Sequence, residues 1–154
     1  MTADTFSREE ARALVHVLDE LIPASADGRL PSGGELGLHD HLADALGAMP
    51  ELRAMVTESL ATLLALARQR DPGGLDAMTP TARAAVLAEL AASAQALPPI
   101  LALHAFTGYY QHPRVVEALG LEPRAPHPQG YQMAPNDLSL LEPVRRRGKM
   151  YRSC

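Results

Sequence analysis

Apolar side chains recur at three- and four-residue spacing in successive runs, and each run is bounded by a proline, a glycine or a capping residue. The first run begins after Ser7, which can form a capping box with Glu10, and it stops at Pro23. No stretch alternates with the two-residue period of a strand for long enough to form a sheet. The pattern predicts an all-α protein, a compact bundle of about five to six helices, with later helices beginning near Leu38, Pro50, Thr79, Pro99 and Pro113.

The core of such a bundle must be built mainly from leucine, alanine and valine. Hydrophobic residues make up 47% of the chain but aromatic residues only 4%, a composition that favours packed helices over a β-sandwich. Met55 is expected on the buried side of the third helix. His104 of the fifth helix is expected to be a buried, hydrogen-bonded core residue, with a functional histidine as the alternative. In a short helical stretch near the C-terminus, Leu138 and Leu141 are expected to turn inward.

Regular structure is expected to thin out after Gly120. Prolines at positions 123, 126, 128, 135 and 143 remove backbone donors that a helix or a central strand needs. Charge changes as well: residues 1–112 hold 14 acidic and 7 basic side chains, whereas residues 113–154 hold 4 and 7. We therefore divide the chain into a helical bundle, residues 1–120, and an extended proline-rich C-terminal arm, residues 121–154, which belongs to the same domain and does not fold independently.

Several classes of protein fit the sequence poorly. A net charge of −4 argues against nucleic-acid binding, which needs a basic face. No stretch approaches the roughly 20 apolar residues of a membrane span, and the N-terminal residues do not have the pattern of a secretory signal, so a cytoplasmic protein is expected. Cys154 is the only cysteine, which excludes an internal disulfide and leaves open a pairing with another chain.

The strongest candidate for a metal site is His39, His41 and Asp44. On a helix His41 and Asp44 share a face while His39 points elsewhere, and a metal site needs three or four converging ligands. Two interpretations stay open: a solvated polar face of the second helix, or a free-standing metal-binding or regulatory protein. No phosphate loop, nucleophile elbow or paired-cysteine motif occurs, so we expect no catalytic residue and no cofactor-binding residue in this chain.

A basic cluster, Arg145-Arg146-Arg147, stands among apolar and aromatic residues of the arm. It could be a solvated basic end or a nucleic-acid patch. However, Leu141 and Val144 precede it and Tyr151 follows it, and arginine and tyrosine mixed with apolar residues are typical of protein interfaces.

Four motifs together resemble the gluconate 2-dehydrogenase subunit 3 family. LDELIP at 18–23 is similar to the family's N-terminal element, and GYYQHPRVVEALG at 108–120 is similar to its paired aromatics followed by a proline and a short helix. PRAPHPQGY at 123–131 and DLSLLEPVRRRGKMYR at 137–152 match its proline-rich run and its arginine-rich ending. The resemblance covers most of the chain, and its specific part is the C-terminal third.

The resemblance implies a non-catalytic small subunit that binds and stabilises a large FAD-dependent oxidoreductase of the glucose-methanol-choline type. That partner would oxidise a sugar, a sugar acid or a polyol, with a cytochrome c subunit as a possible further partner. FAD would lie in the partner, and the complex would be periplasmic only if a signal-bearing partner exported it. The expected partner-binding residues are Tyr109, Tyr110, Pro113, Gly130, Tyr131, Arg145, Arg147, Tyr151 and Arg152.

Overall fold

The computed structural model describes residues 5–94, 96–125, 127–130 and 133–150, and this part of the chain is helical without a strand. It contains seven α-helices: α1 (Arg8–Leu21), α2 (Leu38–Gly47), α3 (Pro50–Arg70), α4 (Pro80–Ala91), α5 (Pro99–Gln111), α6 (Pro113–Ala118) and α7 (Glu142–Arg145). Short 3₁₀ turns span Leu75–Ala77 and Leu138–Leu141. The predicted all-α fold class is confirmed.

Local signals set the helix boundaries. Ser7 and Glu10 form the predicted capping box: the Glu10 amide donates to the Ser7 hydroxyl at 3.3 Å, and the Ser7 amide donates to the Glu10 carboxylate at 2.7 Å. Thr79 caps α4 by accepting from the Ala82 amide at 3.3 Å. A proline begins each of α3, α4, α5 and α6, where its missing N–H is not needed.

The chain divides into two compact units, Met1–Pro123 and Arg124–Cys154. In the first unit, α1 packs on α2, α3 and α4, α2 packs on α3 and α5, and α6 packs on α5. Leucine and valine supply its largest fully buried side chains: Leu14, Leu18, Leu42, Leu46, Leu60, Leu63, Leu90, Val56, Val86 and Val115. Met55 is 54% exposed and not on the buried side of α3 as predicted, because Val56, the next residue, faces the core instead.

The loop between α1 and α2 lies close against the end of α1. The Gly33 amide donates to the Ile22 carbonyl at 2.9 Å, and the Asp19 carboxylate accepts from the Ser32 hydroxyl at 2.5 Å and from the Gly34 amide at 2.9 Å. A Cβ atom at Gly33 would lie 2.8 Å from the backbone oxygen of Leu18, so this approach requires glycine. The LDELIP element therefore ends α1 and anchors the following loop.

The second unit has little secondary structure. Residues 127–130 and 133–150 are all exposed, and only the 3₁₀ turn Leu138–Leu141 and the one-turn helix α7 are regular. The prediction that Leu138 and Leu141 turn inward is wrong, because these side chains are 58% and 45% exposed. Two four-residue elements present too little apolar surface to build a core of their own. That the arm does not fold independently stays a prediction.

Candidate functional site

Tyr109 and Tyr110, at the C-terminal end of α5, have opposite environments. Tyr109 is 3% exposed and Tyr110 is 57% exposed, because consecutive residues of a helix point about 100° apart. Their rings meet edge to face with centroids 5.3 Å apart. The Tyr109 hydroxyl donates to the buried carbonyl of Pro31 at 2.9 Å, and burial, followed by the neighbouring Tyr110, raises the pKa of Tyr109. Tyr109 thus joins α5 to the α1–α2 loop as a core residue.

The outward face of α5 carries a row of exposed apolar side chains, with exposed Thr107 and Gln111 beside it. Leu103 is 59% exposed, Phe106 is 39% exposed, and the Phe106 and Tyr110 rings stack with centroids 6.4 Å apart. The helix contains no aspartate, glutamate, lysine or arginine. His104 is only partly buried, so the prediction that it is a core residue is wrong. We call the exposed residues Pro99, Leu103, Phe106 and Tyr110 the α5 stripe.

An apolar groove of about 610 Å³ begins where the α5 stripe begins. Pro98 and Pro99 line it together with Leu97, and its walls come from α1, α3 and α4. The exposed side chain of Met55 lies along its edge. The groove therefore extends the apolar surface of α5 towards the other helices of the bundle.

The proposed metal ligands do not converge. A Cβ atom at Gly108 would lie 2.5 Å from Cδ2 of His41, so the His41 ring packs on α5. His39 Nε2 lies 3.6 Å from the Asp40 carboxylate, and Asp44 is exposed. Within the residues that the structure describes, no group of three or more histidine, cysteine, aspartate or glutamate side chains could hold a metal ion. The metal-binding alternative has no support.

A small polar pocket of about 190 Å³ lies between α1 and the 3₁₀ turn Leu75–Ala77. His16 Nε2 donates to the Asp76 carboxylate at 2.9 Å, and Arg12 lies 3.6 Å from the same group. The hydrogen bond from His16, helped by the charge of Arg12 and opposed by burial, lowers the pKa of Asp76. Arg68 and Glu9 pair with each other at the other wall. These ion pairs connect neighbouring elements and are structural.

The remaining predicted partner-binding residues lie on both units. Pro113 is exposed at the first position of α6. Gly130 has a φ of 66°, and its carbonyl accepts from the Arg124 guanidinium at 2.7 Å. Arg145 pairs with Glu142 at 3.0 Å, and Arg147 is exposed. Tyr131, Tyr151, Arg152 and Cys154 lie outside the described residues.

A protein-family model, described as gluconate 2-dehydrogenase subunit 3, matches residues 8–126. The chain belongs to this family. The match contains the LDELIP element, the α5 stripe and the GYYQHPRVVEALG motif, so the predicted resemblance is confirmed. It ends before Gly130 and the arginine-rich segment 137–152. No curated protein and no solved structure is significantly similar to the chain.

Membership of the gluconate 2-dehydrogenase subunit 3 family identifies the chain as a subunit of a multi-subunit dehydrogenase. Among the described helices, none is long and apolar enough to cross a membrane. The sequence pointed to Tyr110 but not to the other residues of the α5 stripe, Pro99, Leu103 and Phe106. The signal of the stripe was the absence of charge over the 13 residues of α5, which is unusual for a helix at the surface of a bundle.

Proposed function

We propose that this chain is a non-catalytic accessory subunit that binds and stabilises an FAD-dependent oxidoreductase of the glucose-methanol-choline type. The partner holds the FAD and oxidises a sugar, a sugar acid or a polyol, and a cytochrome c subunit is a possible further partner. The compartment of the complex follows that of the flavoprotein. Family membership supports the role of a subunit, and the family resemblance supplies the class of partner.

The observation that carries the proposal is the composition and exposure of the C-terminal arm. Leu138, Leu140, Leu141 and Val144 are between 45% and 74% exposed. Residues 124–154 contain six basic and only two acidic side chains. Exposed leucine beside arginine is typical of a segment that a partner covers, because apolar burial supplies affinity and arginine supplies oriented hydrogen bonds. The partner surface should therefore combine apolar pockets with carboxylates.

Single substitutions in the arm test this role. Arg147→Ala and Tyr131→Ala are each expected to weaken binding to the flavoprotein by about 2 kcal/mol, roughly thirtyfold in Kd. The melting temperature of the isolated subunit should change little, because Arg147 is exposed. Titration calorimetry gives the affinity, and thermal denaturation gives the stability.

Arg53→Ala is the matched control, because Arg53 is an exposed arginine of α3 on the acidic bundle. Its affinity for the flavoprotein should stay within about twofold of the unsubstituted chain, as is usual for residues outside an interface. Unchanged affinity in both Arg147→Ala and Tyr131→Ala would contradict the assignment of the arm as a docking segment.

A further inference from the structure

We infer that the α5 stripe is a second docking face for the flavoprotein, separate in sequence from the C-terminal arm. The inference rests on the proposed function and adds the surface of the helical bundle that the partner covers. It also predicts the chemistry of the complementary partner surface, which differs from the acidic surface that the arm requires.

Helical geometry places the four residues of the α5 stripe on one face of α5. Successive steps of three or four residues keep Pro99, Leu103, Phe106 and Tyr110 on the same face. Leu101, Ala105 and Tyr109 occupy the opposite, buried face. A helix with apolar residues on both faces is expected to be covered on both, and the neighbouring helices of the bundle cover only one.

Thr107 is the polar side chain nearest the α5 stripe, and its hydroxyl is already hydrogen-bonded within the helix. Thr107 is exposed on the same side of α5, and its hydroxyl donates to the Leu103 carbonyl at 2.8 Å. This bond satisfies the hydroxyl within the helix, so a partner would not have to supply an acceptor for it. Covering the stripe therefore removes apolar surface from water with little polar desolvation.

The stripe and the groove form one continuous apolar surface. The 13 residues of α5 extend over roughly 20 Å. The groove of about 610 Å³ adjoins the stripe at Pro99 and adds a concave apolar surface. The α5 stripe and the adjoining groove can therefore pack against a surface of complementary shape on another chain.

Charge favours a different chain over a second copy as the occupant. Residues 1–123 hold 16 acidic and 8 basic side chains, and α2, which packs on α5, exposes Asp40 and Asp44. Two copies meeting through α5 would bring together two bundles of the same negative charge, and like charges at an interface are unfavourable. The fitting occupant is a flavoprotein surface with an apolar centre and a lysine- or arginine-rich rim.

Leu103→Arg tests the inference. The guanidinium would enter the apolar centre and face the basic rim, so Kd for the flavoprotein should rise by at least about thirtyfold, as for loss of an interface anchor. Ala65→Arg is the control, because it adds the same side chain to an exposed position of α3, which packs on α1, α2 and α4. The control should keep Kd within about twofold.

Tyr110→Ala is the second variant at the stripe, since it removes an anchor without adding charge, and it should also weaken binding. Circular dichroism and thermal denaturation establish that all three variants are folded. If Leu103→Arg, Tyr110→Ala and Ala65→Arg bind equally well, the inference is wrong. If the unsubstituted chain is a dimer in light scattering and Leu103→Arg dissociates it, a second copy occupies the stripe and the inference is also wrong.

The binding experiments separate the role of the α5 stripe from the role of the whole chain as a subunit. If the unsubstituted chain binds the flavoprotein, and Arg147→Ala weakens that binding while Leu103→Arg does not, only the α5 docking face is lost. If the unsubstituted chain does not bind the flavoprotein, the proposed function fails and the inference fails with it.

Discussion

Tyr109→Ala should lower the free energy of unfolding by about 3–5 kcal/mol, as expected for removal of a buried aromatic side chain. Tyr110→Ala should lower it by less than about 1 kcal/mol, because an exposed side chain leaves little cavity behind. The two residues are neighbours of the same type, yet Tyr109 is 3% exposed and Tyr110 is 57% exposed. Urea denaturation of both variants measures the difference.

Tyr109→Phe separates packing from hydrogen bonding. It keeps the ring and removes the donor to the Pro31 carbonyl, so it should cost about 1 kcal/mol. The raised pKa of Tyr109 adds a pH test: its stabilising effect is complete below the unfolded pKa and is lost as pH rises through the folded value. The unsubstituted chain should therefore lose more stability than Tyr109→Phe above about pH 10. Equal destabilisation by Tyr109→Ala and Tyr110→Ala would contradict these roles.

A chain that ends at Pro123 should remain folded but bind the flavoprotein at least about a hundredfold more weakly, since it lacks several predicted anchors at once. In the described part of the chain, every buried apolar residue lies between Phe6 and Val115, so the truncation leaves the core intact. It removes the exposed leucines of the arm together with Arg145 and Arg147. Circular dichroism, thermal denaturation and titration with the flavoprotein give the required comparison.

Two results would oppose this expectation. A truncated chain that loses its helical circular dichroism would show that the arm is needed for the fold of the bundle. A truncated chain that binds as tightly as the full chain would show that the arm contributes no anchors, and that the bundle alone holds the partner.

The boundaries of the long helices could be predicted because local groups determine them. The Ser7–Glu10 capping box, the Thr79 cap and the prolines at helix starts act within one turn, and the structure has all of them. The core, built mainly from leucine, alanine and valine, likewise follows from composition and helical spacing. These features need no knowledge of which helices are neighbours.

The orientation of α5 could not be predicted from its sequence. A helix with apolar residues all round gives no polar face to point outward, so spacing alone does not distinguish Leu101, which is 3% exposed, from Leu103, which is 59% exposed. On α3, Met55 and Val56 both fit the spacing of an apolar face, yet only Val56 is buried. In the arm, helical spacing suggested that Leu138 and Leu141 turn inward, but a core needs more surface than two short turns supply.

The direction in which the candidate residues of α2 and α5 point also depends on how the helices pack. His41 was grouped with Asp44 by spacing, whereas the structure turns its ring against Gly108 of the neighbouring helix. For the adjacent tyrosines, both predicted to bind a partner, the 100° step between consecutive helical residues means that they cannot share one face. In the structure Tyr109 is the inner one, and its hydroxyl donates to the Pro31 carbonyl of the α1–α2 loop.

Co-purification is the decisive test of whether the chain is the accessory subunit of an FAD-dependent oxidoreductase. The chain is expressed with an affinity tag beside an untagged glucose-methanol-choline-type flavoprotein from the same genome, and flavin absorbance is measured in the eluted protein. We expect a one-to-one complex with one FAD per complex, and a flavoprotein that is less stable when it is expressed alone. Elution of the tagged chain without flavin, together with a flavoprotein that is equally stable in its absence, would rule out this role.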